Sequence, residues 1–153
     1  MSSRVPSSDD FQLELNDLFV IDGLACRVRF AESAAGRLPA KEFLDQLKAD
    51  RPAEYASALK TARGLAERGH SNIRNPESFK NLKKGLYEIK GNQLRVFCYP
   101  DKTLDPNKTT WFLLHCVIKK TDALRPEDVV RAKLLIEEND QRIKSKSSIN
   151  RPL

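Results

Sequence analysis

The sequence has no long apolar run. No window approaches about 18 uninterrupted apolar residues, so no transmembrane helix is expected. The first ten residues, MSSRVPSSDD, lack the apolar stretch of a signal peptide, and the chain is expected to stay in the cytoplasm with no membrane partner. Cysteine is scarce: Cys26, Cys98 and Cys116 are odd in number, far apart and never in a CxxC pair. That spacing argues against a zinc site, and no metal or other cofactor is expected. Each cysteine lies in an apolar or alternating run and reads as a small core residue in a reducing compartment. No internal repeat is visible. Acidic residues are in deficit, 21 against 27 Lys and Arg, which gives a net charge of +6 and a pI near 9.3. A surplus of that sign favours a polyanionic partner: RNA, DNA or an acidic protein surface.

What is present is an ordinary globular balance, 40% hydrophobic and 31% charged over 153 residues. The length fits one domain with a single modest core. Residues 1–10 and the basic tail 144–153 are expected to be disordered, with a single domain over 11–143.

LFVIDGLACRVRF (18–30) reads as two strands around Asp22-Gly23, a pair suited to the positive φ of a tight turn. LPAKEFLDQLKAD (38–50) reads as a helix with Pro39 in its first turn and Phe43, Leu44 and Leu47 on its apolar face. RPAEYASALKTARGLAERG (51–69) repeats the pattern, with Tyr55, Leu59, Ala62 and Ala66 as its stripe and Gly69 as its cap. The stretch 70–84 reads as a loop, with His70 as a capping or surface residue. GLYEIK (85–90) and QLRVFCY (93–99) read as a hairpin around Gly91-Asn92. TTWFLLHCVIKK (109–120) reads as a central strand, because its apolar run suits burial on both faces. Residues 125–143 read as a helix with Pro126 at its first position and Val129, Ala132 and Ile136 on one face. The expected fold is α+β: a small antiparallel β-sheet, an N-terminal helical hairpin and a C-terminal helix. The helices are expected on one face of the sheet, leaving the other free.

Strand alternation sorts the side chains. Tyr87, Ile89, Leu94, Val96 and Cys98 take one face; Glu88, Lys90, Arg95, Phe97 and Tyr99 take the other. Tyr87, Ile89, Val96 and Leu114 are expected in the core and Arg95 outside it. Lys90 and Arg95 become near cross-strand neighbours. Lys80, Lys83 and Lys84 add charge before this hairpin, and Lys119 and Lys120 add it at the end of the central strand. A single lysine on a sheet face is most simply a solvated charge. Cations converging from three strands, interleaved with Phe97 and Tyr99, suit RNA, because phosphates take the charge and rings stack on unpaired bases. Glu88 either pairs with Lys90 or Arg95 or accepts a proton. His115 is either a hydrogen-bonded structural residue in an apolar strand or an acid–base group.

Three segments carry a family resemblance: GRLPAKEFLDQL, then KNLKKGLYEIKGNQLRVFCYPD, then FLLHCVIKKTDALRPEDVVRAKLLIEE. Together they resemble the phage-derived, HigB-like branch of the RelE/ParE toxin superfamily over about residues 24–138. Gly85, Leu86, Glu88, Arg95, Val96, Phe97, Leu114, His115, Lys119, Lys120, Thr121, Pro126 and Ala132 stand in the matching places. The resemblance implies a RelE-like fold and a toxin neutralised by a cognate antitoxin, a helix-turn-helix protein. It also implies metal-independent cleavage of mRNA on the ribosome. By resemblance the basic catalytic positions fall on Lys90, Arg95 and Lys120, with Lys119 beside the last. The chain departs from the pattern in three ways. Glu88 stands where RelE-like toxins often carry a second cation, 121–143 contains no tyrosine, and 1–23 precedes the usual start. Three functions therefore compete. The first is a ribosome-dependent mRNA endonuclease, favoured by the convergent cations. The second is a ParE-like gyrase inhibitor. The third is a noncatalytic RNA- or protein-binding module, favoured by the missing tyrosine and Glu88.

Overall fold

The computed structural model describes residues 19–72, 76–119, 121 and 123–150. The N-terminal stretch 1–10 and the last three residues of the tail lie outside the described residues. The described chain is α+β, with six strands and three α-helices. The strands are β1 (Phe19–Asp22), β2 (Arg27–Phe30), β3 (Phe79–Lys83), β4 (Leu86–Gly91), β5 (Leu94–Asp101) and β6 (Thr110–Ile118). The helices are α1 (Pro39–Asp50), α2 (Pro52–Arg68) and α3 (Pro126–Asn150). Among the described residues, no helix is long and apolar enough to cross a membrane.

The sheet runs β1-β2-β6-β5-β4-β3 and is mixed rather than antiparallel. β2 and β6 pair in parallel, Arg27 opposite Thr110 through Phe30 opposite Leu113, while every other pair is antiparallel. Parallel neighbours need a crossover connection. Here α1, α2 and the β3–β5 meander supply it, returning the chain to pair along β2.

Each helix forms where the sequence signals it. Pro39 and Pro52 occupy first-turn positions in α1 and α2, where a missing N–H is harmless. Arg51 alone separates the two helices. Gly69 ends α2 at φ +83° and donates its N–H to the Leu65 carbonyl. Gly23 has a different job from the one its turn sequence implies, since its φ is not positive. A Cβ there would lie 2.4 Å from the Ala66 backbone, so glycine is needed for α2 to approach the β1–β2 turn. The Ala66 carbonyl then accepts the N–H groups of Ala25 and Cys26.

The expectation of one free sheet face is overturned. Val28, Phe30, Ile89, Leu94, Val96, Trp111 and Leu113 pack against α1 and α2. On the opposite face, Leu86, Phe97, Tyr99, Phe112 and Leu114 pack against Ala132 and Leu135 of α3. The physical reason is composition. Both faces of β5 and β6 carry rings or aliphatic chains, so both need cover, and α3 has one apolar stripe to provide it. Tyr99 ties the sheet to the middle of α3: its hydroxyl donates to Asp140 at 2.8 Å and accepts from Asn139 at 2.9 Å. α3 continues beyond the expected end at 143, and Arg142 and Lys146 both pair with Glu32, at 2.9 and 2.7 Å. The segment expected to be a disordered tail is therefore helical through residue 150.

One strand was not expected. β3 lies within the stretch read as a loop and forms the sheet edge, short and lysine-bearing as edge strands often are. The three cysteines are free and buried, in line with their reading as core residues.

Candidate functional site

The two-residue connection Asn92-Gln93 sets the β4–β5 register, one residue later than the expected Gly91-Asn92 turn. Asn92 takes the left-handed backbone, φ +61°, which asparagine tolerates. The register then builds two rows across the α3 side of the sheet. Lys80, Glu88, Phe97 and His115 form the first, and Lys90, Arg95 and Val117 the second. The cross-strand neighbourhood of Lys90 and Arg95 is thus present as expected. In β6, Leu114 has no partner between the Phe97–His115 and Cys98–Leu113 pairs. That bulge sends Leu114 and His115 to the same face, where the His115 ring stacks on Phe97 at 4.8 Å.

Burial differs from expectation at several of these residues. Ile89, Val96 and Leu114 are in the core and Tyr87 is half-buried against it. Arg95 was expected outside and is only 5% exposed. Its guanidinium donates to the Asn92 and Leu94 carbonyls, so it braces the β4–β5 turn. A buried guanidinium needs such acceptors, and the turn supplies them. Glu88 is buried, and Lys119 is 6% exposed. The Lys119 ammonium turns back onto the Ala123 carbonyl at 2.7 Å, while its N–H bonds to Gln93. Phe97 and Tyr99, read as rings for base stacking, are buried under α3. Lys120 lies outside the described residues. Lys90 is half-buried, and Lys80, Lys83 and Lys84 are exposed.

His115 is 1% exposed. Its Nε2 lies 3.0 Å from the Asp128 carbonyl in the first turn of α3, so Nε2 carries the proton and donates it. Nδ1 is buried without a hydrogen-bond partner. Burial pushes the imidazole pKa below its ordinary value, opposed by the Asp128 carbonyl bond and reinforced by nearby Arg131. The ring is therefore neutral near pH 7 and ties α3 to β6.

The exposed cations cluster at the β3 edge. Lys83, Lys84 and Gly85 all have positive φ, +80°, +56° and +82°. The Asn81 side chain accepts the Lys83 N–H at 2.7 Å and steadies this turn. A non-glycine residue in the left-handed region is held there at a cost of about 1–3 kcal/mol. Two adjacent lysines are thus presented at a hairpin tip where Asn or Gly would fit with less strain.

Sequence reasoning missed a ring cluster on the other face. Phe79 and Tyr87 stack at 5.4 Å, and Trp111 meets them edge-on at 5.3 and 4.8 Å. His70 sits 5.9 Å from Tyr87 and 5.7 Å from Trp111. The available signal was Phe79, a ring inside the stretch 70–84 that reading it as a loop passed over.

Among the described residues, no group of three or more His, Cys, Asp or Glu is arranged to hold a metal ion. Neither models of known protein families nor curated proteins give a match to this chain.

Proposed function

We propose that the chain is a HigB-like toxin of the RelE/ParE superfamily that engages mRNA on the ribosome and blocks translation by metal-independent cleavage. The observation that carries this reading is the pairing of Lys90 with Arg95, one row beyond Glu88, beside the exposed lysines of β3. A RelE-like arrangement, with α1 and α2 as a helical hairpin, belongs to the same reading. So do a cytoplasmic site of action and a helix-turn-helix antitoxin as partner.

The proposed chemistry follows from the side chains. The ribose 2′-hydroxyl attacks the adjacent phosphorus, and Glu88 accepts its proton. Lys90 neutralises the charge that develops on the phosphoryl oxygens, and the buried Arg95 guanidinium, bonded to the turn carbonyls and charged throughout, holds that turn and adds its field from behind Lys90. The P–O5′ bond breaks, and the leaving oxygen takes a proton from the Lys90 ammonium. The products are a 2′,3′-cyclic phosphate and a 5′-hydroxyl. His115 has a structural role in this scheme, because its Nε2 proton is committed to the Asp128 carbonyl.

Burial favours a second reading, a noncatalytic RNA-binding module. Of the described catalytic candidates, Glu88, Arg95, His115 and Lys119 are buried and Lys90 alone is not. Induced expression separates the readings. The toxin arrests incorporation of labelled amino acids and yields cut messages, while a noncatalytic module binds RNA and leaves messages intact. Loss of DNA supercoiling with translation unchanged would point to a gyrase inhibitor instead.

A further inference from the structure

Phe97 and Tyr99 are buried, so the rings available to an unpaired base must lie elsewhere. They gather at the sheet edge, where Phe79 of β3 meets Tyr87 of β4 and His70 from the turn after α2. Successive side chains of a strand point to opposite faces. Phe79 joins Tyr87 and Trp111 on the α2 side, while Lys80 pairs with Glu88 on the α3 side. Phe79 and Tyr87 are close to parallel, 15° between planes, and both are half-buried. Trp111 stands nearly perpendicular beneath them and is buried. His70 is the outermost ring and is exposed. It is carried there by the left-handed turn at Gly69, which ends α2 and starts a short 3-10 turn, His70–Asn72.

The outer member is an exposed imidazole, flat and polar-edged, suited to lie against a nucleobase. Strand β3 carries exposed Lys80 on its α3 side and ends at exposed Lys83, next to Lys84 in the turn, so a single strand seated on the rings meets these cations by crossing the sheet edge. Cations that track a backbone beside rings that take bases are the two halves of a single-strand binding surface.

We infer that His70, Tyr87 and Phe79 form a stacking platform for an unpaired base of single-stranded RNA whose phosphates follow the β3 lysines. This rests on the RNA-binding part of the proposed function and adds a contact on the side of the sheet edge away from Lys90 and Arg95.

The test uses the full-length protein and a labelled single-stranded oligoribonucleotide at low salt. Two signals are read: anisotropy of the label and emission of Trp111, the only tryptophan in the chain. The expected result is Trp111 quenching that saturates together with the anisotropy change. Duplex RNA, whose bases are already stacked, produces no such quenching. His70→Ala weakens binding by about fivefold or more, the equivalent of losing one base stack. His70→Phe, which keeps a ring, restores it. Equal affinity of wild type and His70→Ala would overturn the platform and leave RNA binding standing. Failure of His70→Phe to bind better than His70→Ala, or equal quenching by duplex RNA, would overturn it as well. No binding by the wild-type protein would remove both the platform and the RNA-binding reading.

Discussion

Mild acid should weaken this fold through His115. The neutral ring donates from Nε2 to the Asp128 carbonyl and keeps an unpartnered Nδ1 in the interior. Protonating Nδ1 would bury a second N–H with no acceptor, close to the Arg131 charge. The folded pKa is therefore depressed relative to the unfolded value of about 6.5. The unfolded chain then binds the proton more readily than the folded one. Stability is complete above about pH 6.5 and is lost as pH falls from there through the folded pKa. One proton sets the limit, about 1.4 kcal/mol per pH unit, or at most about 2 kcal/mol between pH 6.5 and about 5. The Glu42 and Asp105 carboxylates, hydrogen-bonded to Arg37 and Arg27, titrate below their ordinary range and contribute little in this window. Urea unfolding between about pH 7.5 and about pH 5 measures the loss. His115→Gln keeps a donor for the Asp128 carbonyl and cannot titrate. Its stability should be flatter than wild type over this window. Equal pH dependence in the two proteins would refute the assignment of a neutral, buried His115.

Gly23→Ala drives a methyl into the Ala66 backbone, which cannot yield locally, and should cost on the order of 3 kcal/mol; an unchanged Tm would show that α2 packs less tightly on the β1–β2 turn. Arg95→Met keeps the apolar stem but loses the bonds to the Asn92 and Leu94 carbonyls, so denaturant unfolding should register a loss of about 2 kcal/mol. Lys84→Gly relieves a left-handed residue at the hairpin tip and should add up to about 1 kcal/mol of stability. The same change should weaken RNA binding and lower the salt slope of the affinity by about 1, as loss of one phosphate contact requires.

Local rules read much of this fold correctly. Pro39, Pro52, Pro126 and Gly69 mark helix ends by backbone constraints that tertiary packing leaves alone. That Lys90 and Arg95 share a face was legible from alternation, but their direct pairing was not, because a Gly91-Asn92 turn sets Lys90 opposite Gln93 and the connection lies one residue later. The burial of Arg95 was not legible. Alternation says which residues share a face, but only the position of α3 says whether that face meets water. The apolar stripe of α3 was visible, yet a stripe does not name the sheet face it covers, so Phe97 and Tyr99 read as exposed rings. β3 was hidden by its own lysines, which protect an edge strand and resemble a loop. The Leu114 bulge interrupts the period on which strand reading depends, and with it went the contact between His115 and α3.

The central claim is that this chain cuts RNA using the cations of the β4–β5 hairpin. Primer extension on ribosome-bound message tests it most directly, comparing wild type with Lys90→Ala in the presence of EDTA and with the ribosomes shown to remain intact. Lys90 is the one described catalytic candidate that is not buried, so its removal should leave the fold in place. Discrete cleavage by the wild-type protein, reduced about 10²–10³-fold in Lys90→Ala at unchanged Tm, is the predicted result. Cleavage by Lys90→Ala at the wild-type rate, or no cleavage by a wild-type protein that binds the message, would contradict it.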